Sequence, residues 1–452
     1  MPAETIKLGD YVIIQRQKYT KLHKFSGADS TAALGKDQLE LKNIESQPYF
    51  TTFKLVPANT IRGRRLLSLE PCTDVSMFKE SVSVDVTESG SDNRNILAGA
   101  QSQTLSPEEI VKLRETCKSA NEIVANLVEN STTFASKTEY SQDKYLKKKE
   151  KKYFEYVQIR KPTIRMLAEI MYRLDPEKVC GLRIDSLSQL VSYSNVCGVG
   201  NYLLYESGSN GLVPAALLNS IGANTQAKLL HMHPGNVPQK QAILALNLEK
   251  EQLDRCLSVN LYSILRQFYQ TRRESTTGSG TKRKINDEAA DDLENPPAKF
   301  LKNEDNVDVS SANPLEVAAE QNEPESNPKE QENENNVTPP PYTPKWVFEN
   351  ERGCELLREH LDSLVVVAKE HPSAILKALL PFVKPSRPVV IFHSSREILM
   401  EVYMELKISG QVTSLHLTSN WLRQYQILPN RTHPDVNMSG NSGFLLCGYT
   451  IR

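Results

Sequence analysis

The sequence predicts an α/β protein in which a doubly wound, parallel-sheet domain follows a small N-terminal β-barrel or sandwich and a helical linker, and is interrupted by a disordered acidic insertion. Three observations predict it. From residue 196 onward short apolar runs alternate with helix-period stretches; the alternation stops near residue 269 and resumes after 344. Residues 199–218 run from an apolar strand, through the turn Glu206-Ser207-Gly208-Ser209-Asn210-Gly211, into the helical pattern Leu212-Val213-Pro214-Ala215-Ala216-Leu217-Leu218. The stretch 271–343 is so rich in Asn, Glu, Pro and Ser that it buries too little apolar area to order itself.

At 452 residues the chain exceeds what one hydrophobic core usually holds, so several domains are expected. The formal charge of −1 conceals two opposed regions. Residues 271–343 carry 16 acidic and 8 basic side chains, a net of −8, which leaves the remainder at −1 + 8 = +7. A basic folded body favours nucleic acid as a partner. The 7 cysteines are odd in number and none lie at CxxC spacing, which argues against a disulfide framework or a zinc site and for reduced thiols inside a cell. No signal peptide and no apolar run of about 18 residues is present, so a soluble protein without membrane partners is expected.

Taken in order, residues 1–69 read as a small β-barrel or sandwich. Short apolar or alternating runs at 11–16, 38–41 and 51–56 are separated by Gly, Asp, Asn and Pro. Residues 70–105 form a polar loop region. Residues 106–195 are helical: Ser106-Pro107-Glu108-Glu109 sets a cap, a first-turn proline and a capping-box glutamate in order, and a further helix spans 163–174. Residues 196–270 and 344–452 supply the two parts of the α/β domain, with strands at 361–368, 387–392, 412–417 and 444–451 and helices at 373–382 and 395–407. Neither part has enough strands alone, so one interrupted domain is preferred to two small ones. Within the insertion, Lys282-Arg283-Lys284 has the composition of a nuclear-import signal.

The turn at 206–211 has the layout of a nucleotide-cofactor loop, in which backbone N–H groups at a helix start meet the ligand. A methyltransferase that uses S-adenosylmethionine carries acidic-x-Gly-x-Gly-x-Gly there. Glu206, Gly208 and Gly211 remain, but Asn210 replaces the middle glycine and the spacing is irregular. The next strand should end in an acid that holds the ribose hydroxyls; it ends in His233 followed by Pro234. The position after the fourth strand, where such enzymes place an Asp-x-Pro-type motif, reads Val367-Ala368-Lys369-Glu370-His371-Pro372. Glu370 or His371 has the chemistry to act as a base there. The frame of a cofactor domain is present without its chemistry: no catalytic residue, no metal ligand and no bound cofactor are expected of this chain.

A second signal is electrostatic. Between Lys137 and Arg165 lie 10 basic and 4 acidic residues, and Lys144, Lys147, Lys148, Lys149, Lys151 and Lys152 fall within ten positions that also hold Tyr145 and Tyr153. Such crowding costs roughly 0.2–0.5 kcal/mol per close pair, and a polyanion relieves it. Phosphates would meet the lysines, while tyrosines suit stacking on unpaired bases. The competing reading is a solvated helix face whose tyrosines are core. Further on, Trp421, Arg423, Arg431, Thr432 and His433 offer donors suited to phosphates and base edges, beside the close-approach turn Gly440-Asn441-Ser442-Gly443. Trp421 and Tyr425, four apart, fit core packing equally well.

Together these segments resemble the family of non-catalytic subunits of the tRNA (adenine-58-N1)-methyltransferase. The resemblance runs through Ser91-Asp92-Asn93-Arg94-Asn95-Ile96, the stretch 137–145 with its lysines, Leu182-Arg183-Ile184-Asp185-Ser186-Leu187-Ser188-Gln189, Ser386-Arg387-Pro388-Val389-Val390, residues 421–433 and residues 438–448. It implies an N-terminal β-barrel, a methyltransferase-like Rossmann domain with a degenerate cofactor site, and a heterotetramer with a catalytic sister subunit; a nuclear location is also expected. That partner alone would use S-adenosylmethionine. It also implies tRNA contacts at Asn93, Arg94, the lysine run with Tyr145, Arg183, Arg387, Trp421, Arg423, Arg431, Thr432, His433, Gly440 and Asn441. Two other classes of function compete: an active S-adenosylmethionine-dependent RNA methyltransferase, and a free-standing RNA-binding protein.

Overall fold

The computed structural model describes residues 4–27, 29–35, 37–61, 64–72, 90, 102–116, 120–153, 156–276, 344–428, 431–436, 438, 440 and 442–451. Residues 1–269 and 345–452 form one compact unit. Asn93, Arg94, Asn441, the polar loop at 73–89 and the Lys282 triplet lie outside the described residues. Among the described residues no helix is long and apolar enough to cross a membrane.

The first sheet is built from β1 (Tyr11–Arg16), β2 (Tyr19–Lys24), β3 (Thr31–Leu34), β4 (Asp37–Glu40), β5 (Thr52–Ile61) and β6 (Arg64–Cys72), together with a later strand. Three helices follow: α1 (Pro107–Thr116), α2 (Ala120–Glu129) and α3 (Glu139–Tyr153). The expected capping box is in place, since Ser106 N–H donates to Glu109 Oε2 at 2.8 Å and Glu109 N–H to Ser106 Oγ at 3.2 Å. After α3 the chain returns to the barrel as β7 (Tyr156–Arg160), giving the order β2-β1-β7-β5-β6-β4-β3. The barrel-like sheet closes on Val12, Ile14, Phe25, Leu39, Leu41, Phe53, Leu55 and Leu69.

Two boundaries differ from the sequence reading. The barrel extends past residue 69, because Pro71 and Cys72 pair with Phe53 and Thr52. It also takes β7 from the stretch read as wholly helical. In β7 the side chains alternate: Val157 and Ile159 enter the barrel core, while Arg160 Nη1 donates to Gln15 Oε1 at 2.8 Å. The signal was hidden because the strand is short and lies among lysines and arginines. β7 separates β1 from β5, so without it each would expose an unpaired edge. A fragment of residues 1–150 should therefore fail to give a monodisperse folded barrel by circular dichroism and gel filtration. A folded monomer of that fragment would contradict this account.

The main domain opens with α4 (Ile164–Leu174) and α5 (Ile184–Ser194). Next come β8 (Asn201–Glu206), α6 (Leu212–Ile221), β9 (Lys228–His233), the short α7 (Gln241–Ala245) and α8 (Lys250–Asp254), β10 (Cys256–Asn260) and α9 (Leu261–Thr276). Beyond the insertion lie α10 (Lys345–Glu359), β11 (Ser363–Val367), α11 (Pro372–Leu379), β12 (Pro388–His393), α12 (Arg396–Ser409), β13 (Val412–Ser419), the hairpin β14 (Tyr425–Leu428) and β15 (Arg431–Pro434), and β16 (Phe444–Thr450). One sheet of order β10-β9-β8-β11-β12-β16-β13 combines both parts, with β8 pairing directly to β11. The two parts on either side of residues 277–343 therefore contribute strands to one sheet.

Strands β10 to β12 are mutually parallel, and β16 runs antiparallel to both of its neighbours. Helices cover both faces, so neighbouring residues bury on opposite sides: Leu204, Val365 and Phe392 in one core, Leu203, Val366 and Ile391 in the other. Hence these strands read as continuous apolar runs. The order reverses between β8 and β11, the switch point at which such sheets bind ligands beyond their strand C-termini. The insertion falls in the connection that leads from β10 back to β11, the neighbour of β8.

Candidate functional site

At the switch point Glu206 ends β8, buried, with both carboxylate oxygens engaged. Oε1 accepts the Ser209 N–H at 2.6 Å, and Oε2 lies 3.1 Å from His231 Nε2 in β9. Burial by itself would raise the Glu206 pKa, but these hydrogen bonds and the His231 charge hold it below the usual carboxylate range. For His231, burial acts downward, and the Cys256 thiol and Glu206 outweigh it, so it is pushed up to about 9. Both shifts favour the imidazolium–carboxylate form of this buried pair.

Several of the loop N–H groups are taken from within the protein. Asn210, at φ 56°, donates its N–H to Gln239 Oε1 at 2.8 Å; Val213 N–H reaches Ser209 Oγ at 3.3 Å; Ser207 N–H reaches the Val367 carbonyl at 2.9 Å. Gly208, at φ +89°, lies directly beneath Lys369: a Cβ there would fall 2.4 Å from Lys369 Cε. Ser207 Oγ bridges the two crossing segments, accepting from Lys369 N–H at 3.0 Å and donating to Glu370. Where a ribose-binding acid would stand, His233 is buried, and its Nδ1 has no hydrogen-bond partner. Burial, aided by the charge on His231, lowers His233 to about 4. A neutral imidazole cannot take the place of a carboxylate that accepts two hydroxyls. His371 accepts the Ser373 N–H at 3.3 Å as the cap of α11, so it is committed to the helix start. The residues present do not fit S-adenosylmethionine. Gln239 and Lys369, which complete the seal, carried no sequence signal because neither belongs to the loop.

The expected RNA contacts rest on several supports. In α3, Lys144 and Lys148 are exposed, while Leu146 is buried with Ile123, Val124 and Leu127 of α2. Tyr145 is half-buried: its ring packs on Phe134 at 5.5 Å between centroids, with Lys137 and Lys149 ammonium groups 4.7 and 5.1 Å from it. Tyr145 thus anchors the lysine helix. Lys147, Lys151 and Lys152 lie on the same helix.

At the C-terminal end, Trp421 is 72% exposed and Tyr425 is also exposed, which excludes the core-packing alternative for both. Arg423 is half-buried, Thr432 and His433 are exposed, and Arg431 pairs with Leu428 in the hairpin. His433 Nδ1 lies 2.9 Å from the Pro434 carbonyl, which requires the proton on Nδ1.

Arg183 is placed differently from the expectation of a direct tRNA contact. It is buried, its guanidinium bound to Asp185 and to the Gly440 carbonyl. Arg387 stands at the start of β12, with Nη2 3.2 Å from Asp362; it therefore lies at the opposite ends of the parallel strands from Glu206. The structure brings Arg183 and Gly440 together, supports the lysine helix separately on α2, and sets Arg387 apart from the switch point.

Comparison with known proteins adds the following. The profile of the Gcd10p family matches residues 5–294. The tRNA (adenine(58)-N(1))-methyltransferase non-catalytic subunit TRM6 of Mus musculus is 31% identical over 463 residues, covering 98% of this chain and 88% of its own. The subunit of the same name in Dictyostelium discoideum is 29% identical over 453 residues, covering 99% and 79%. Among solved structures, an S-adenosylmethionine-dependent O-methyltransferase from Thermotoga maritima superposes with a TM-score of 0.46 at 8% identity, covering 99% of this chain and 95% of that one.

Proposed function

This chain belongs to the Gcd10p family, and from that premise we propose that it is the non-catalytic, tRNA-binding subunit of a tRNA (adenine-58-N1)-methyltransferase. Its work is placement. The lysines of α3 and the surface carrying Trp421, Arg423 and His433 grip the tRNA and favour exposure of the target adenine. A catalytic sister subunit, in a nuclear heterotetramer, binds S-adenosylmethionine and methylates N1. That atom is inaccessible until the base leaves its stack.

The observation that carries this reading is the occupied loop at 206–211: the Ser209 and Asn210 N–H groups are taken by Glu206 and Gln239, the Val213 N–H by Ser209, and Lys369 covers Gly208. A domain of this architecture with a self-filled cofactor site is suited to presenting surface, not to catalysis. The test is methyl transfer to an unmodified tRNA transcript by this chain alone, by the catalytic subunit alone, and by both. Activity confined to the mixture, with no calorimetric signal for S-adenosylmethionine on this chain, is expected. Turnover by this chain alone would overturn the proposal. A catalytic subunit fully active without it would favour a free-standing RNA-binding protein.

A further inference from the structure

We infer that Arg183 is a positioning residue: with Asp185 and Ser186 it latches both ends of the segment 420–443 to the first turn of α5, and so presents Trp421 and the β14–β15 hairpin to tRNA. The inference rests on the proposed tRNA-binding function.

Arg183 is only 5% exposed. Its Nε and Nη2 donate to the two Asp185 oxygens at 2.7 and 2.8 Å, the bidentate fork that fixes a guanidinium plane. Held in that plane, Nη1 donates to the carbonyl of Gly440, 257 positions away, at 2.8 Å. One turn on, the buried hydroxyls of Ser186 and Ser442 lie 2.8 Å apart. Asn420 Nδ2 donates to that same Ser186 Oγ at 3.3 Å.

The segment leaves β13 at Asn420 and rejoins the sheet through Ser442 and Gly443. Gly443, at φ +75°, passes so close to Phe392 that a Cβ would lie 2.4 Å from its ring. Both ends are therefore gathered on residues 183–186. Between them Trp421, Ile427 and Val436 are exposed, so apolar burial does little to hold the segment. Closing it at its base removes the entropy that an unpinned loop would lose on binding.

A direct phosphate contact by Arg183 predicts the opposite response to one substitution. Asp185→Asn removes a negative charge and frees the guanidinium, so a direct contact would bind tRNA more tightly. The latch predicts weaker binding. Measurements use the full chain, alone for fluorescence and in complex with its catalytic subunit for binding an unmodified tRNA transcript. In a Trp346→Phe background Trp421 is the remaining tryptophan, and its anisotropy reports segment mobility without RNA.

The expected result is that Asp185→Asn and the charge-neutral Ser442→Ala each lower Trp421 anisotropy and weaken tRNA binding by roughly tenfold and threefold respectively. Arg183→Lys, which keeps the charge and loses the fork, should behave like Asp185→Asn. Full affinity in Arg183→Lys, or unchanged or tighter binding in Asp185→Asn, would overturn the latch. Anisotropy that does not move in either Asp185→Asn or Ser442→Ala would do the same. If the unsubstituted complex fails to bind the transcript, the proposed function fails instead, and the anisotropy still judges the pinning of the segment.

Discussion

Replacing Lys144, Lys147 and Lys148 together by alanine should weaken tRNA binding by about 10- to 100-fold near 0.1 M salt. It should lower the slope of log K against log salt by about 2 to 3, the loss of three phosphate contacts. The fold should survive, because these lysines flank the buried Leu146 and the half-buried Tyr145 that seat α3 on α2. Alanine is also the better helix former, and removing three like charges relieves repulsion. Thermal stability should accordingly hold or rise while affinity falls, and assembly with the catalytic subunit should be unchanged. Titrations at several salt concentrations decide the matter. A slope equal to that of the unsubstituted protein would remove the lysine helix from the tRNA interface, and the solvated-face reading would then stand.

Replacing His231 by leucine should destabilise the protein by about 3–5 kcal/mol, because it leaves the Glu206 carboxylate buried beside an apolar side chain. Glu206→Gln in the same chain should recover much of that loss, since the neutral pair no longer strands a charge. Denaturant unfolding of the two single variants and the double variant measures the coupling, and additive losses would refute it.

The pH dependence follows from the directions of the shifts. His231 is raised from 6.5 to about 9, so its contribution is complete below pH 6.5 and lost as pH rises through 9. His233 is lowered from 6.5 to about 4, so its contribution is complete above pH 6.5 and lost as pH falls towards 4. Glu206, held below its ordinary 4.5, adds to that acid limb. Among these groups stability should peak near pH 6.5, and the alkaline decline should flatten in His231→Leu.

Much of the architecture was legible in the residues themselves. The buried strands announce themselves because a parallel sheet covered on both faces demands unbroken apolar runs such as Leu364-Val365-Val366-Val367. The capping box at Ser106 and the degenerate glycine loop are local in sequence, and local patterns survive without knowledge of the fold. The barrel was readable only in part. Two of its strands, β2 and β3, are short and carry few large apolar side chains, and β7 is separated from its partners by α1, α2 and α3.

The sequence by itself therefore determined the α/β class of the main domain, the basic character of the body outside the insertion, and the loss of the cofactor motif at Asn210 and His233. Only the tertiary structure decided what fills the emptied loop and what each arginine does. Lys369 reaches Gly208 across 161 residues, Arg183 reaches Gly440 across 257, and Arg387 turns to Asp362 at the far end of the strands. A guanidinium carries the same charge and donors wherever it stands in a chain. Whether it holds a phosphate or a carbonyl depends on burial and on which oxygens the fold brings within about 3 Å, and neither is written in residue type or spacing.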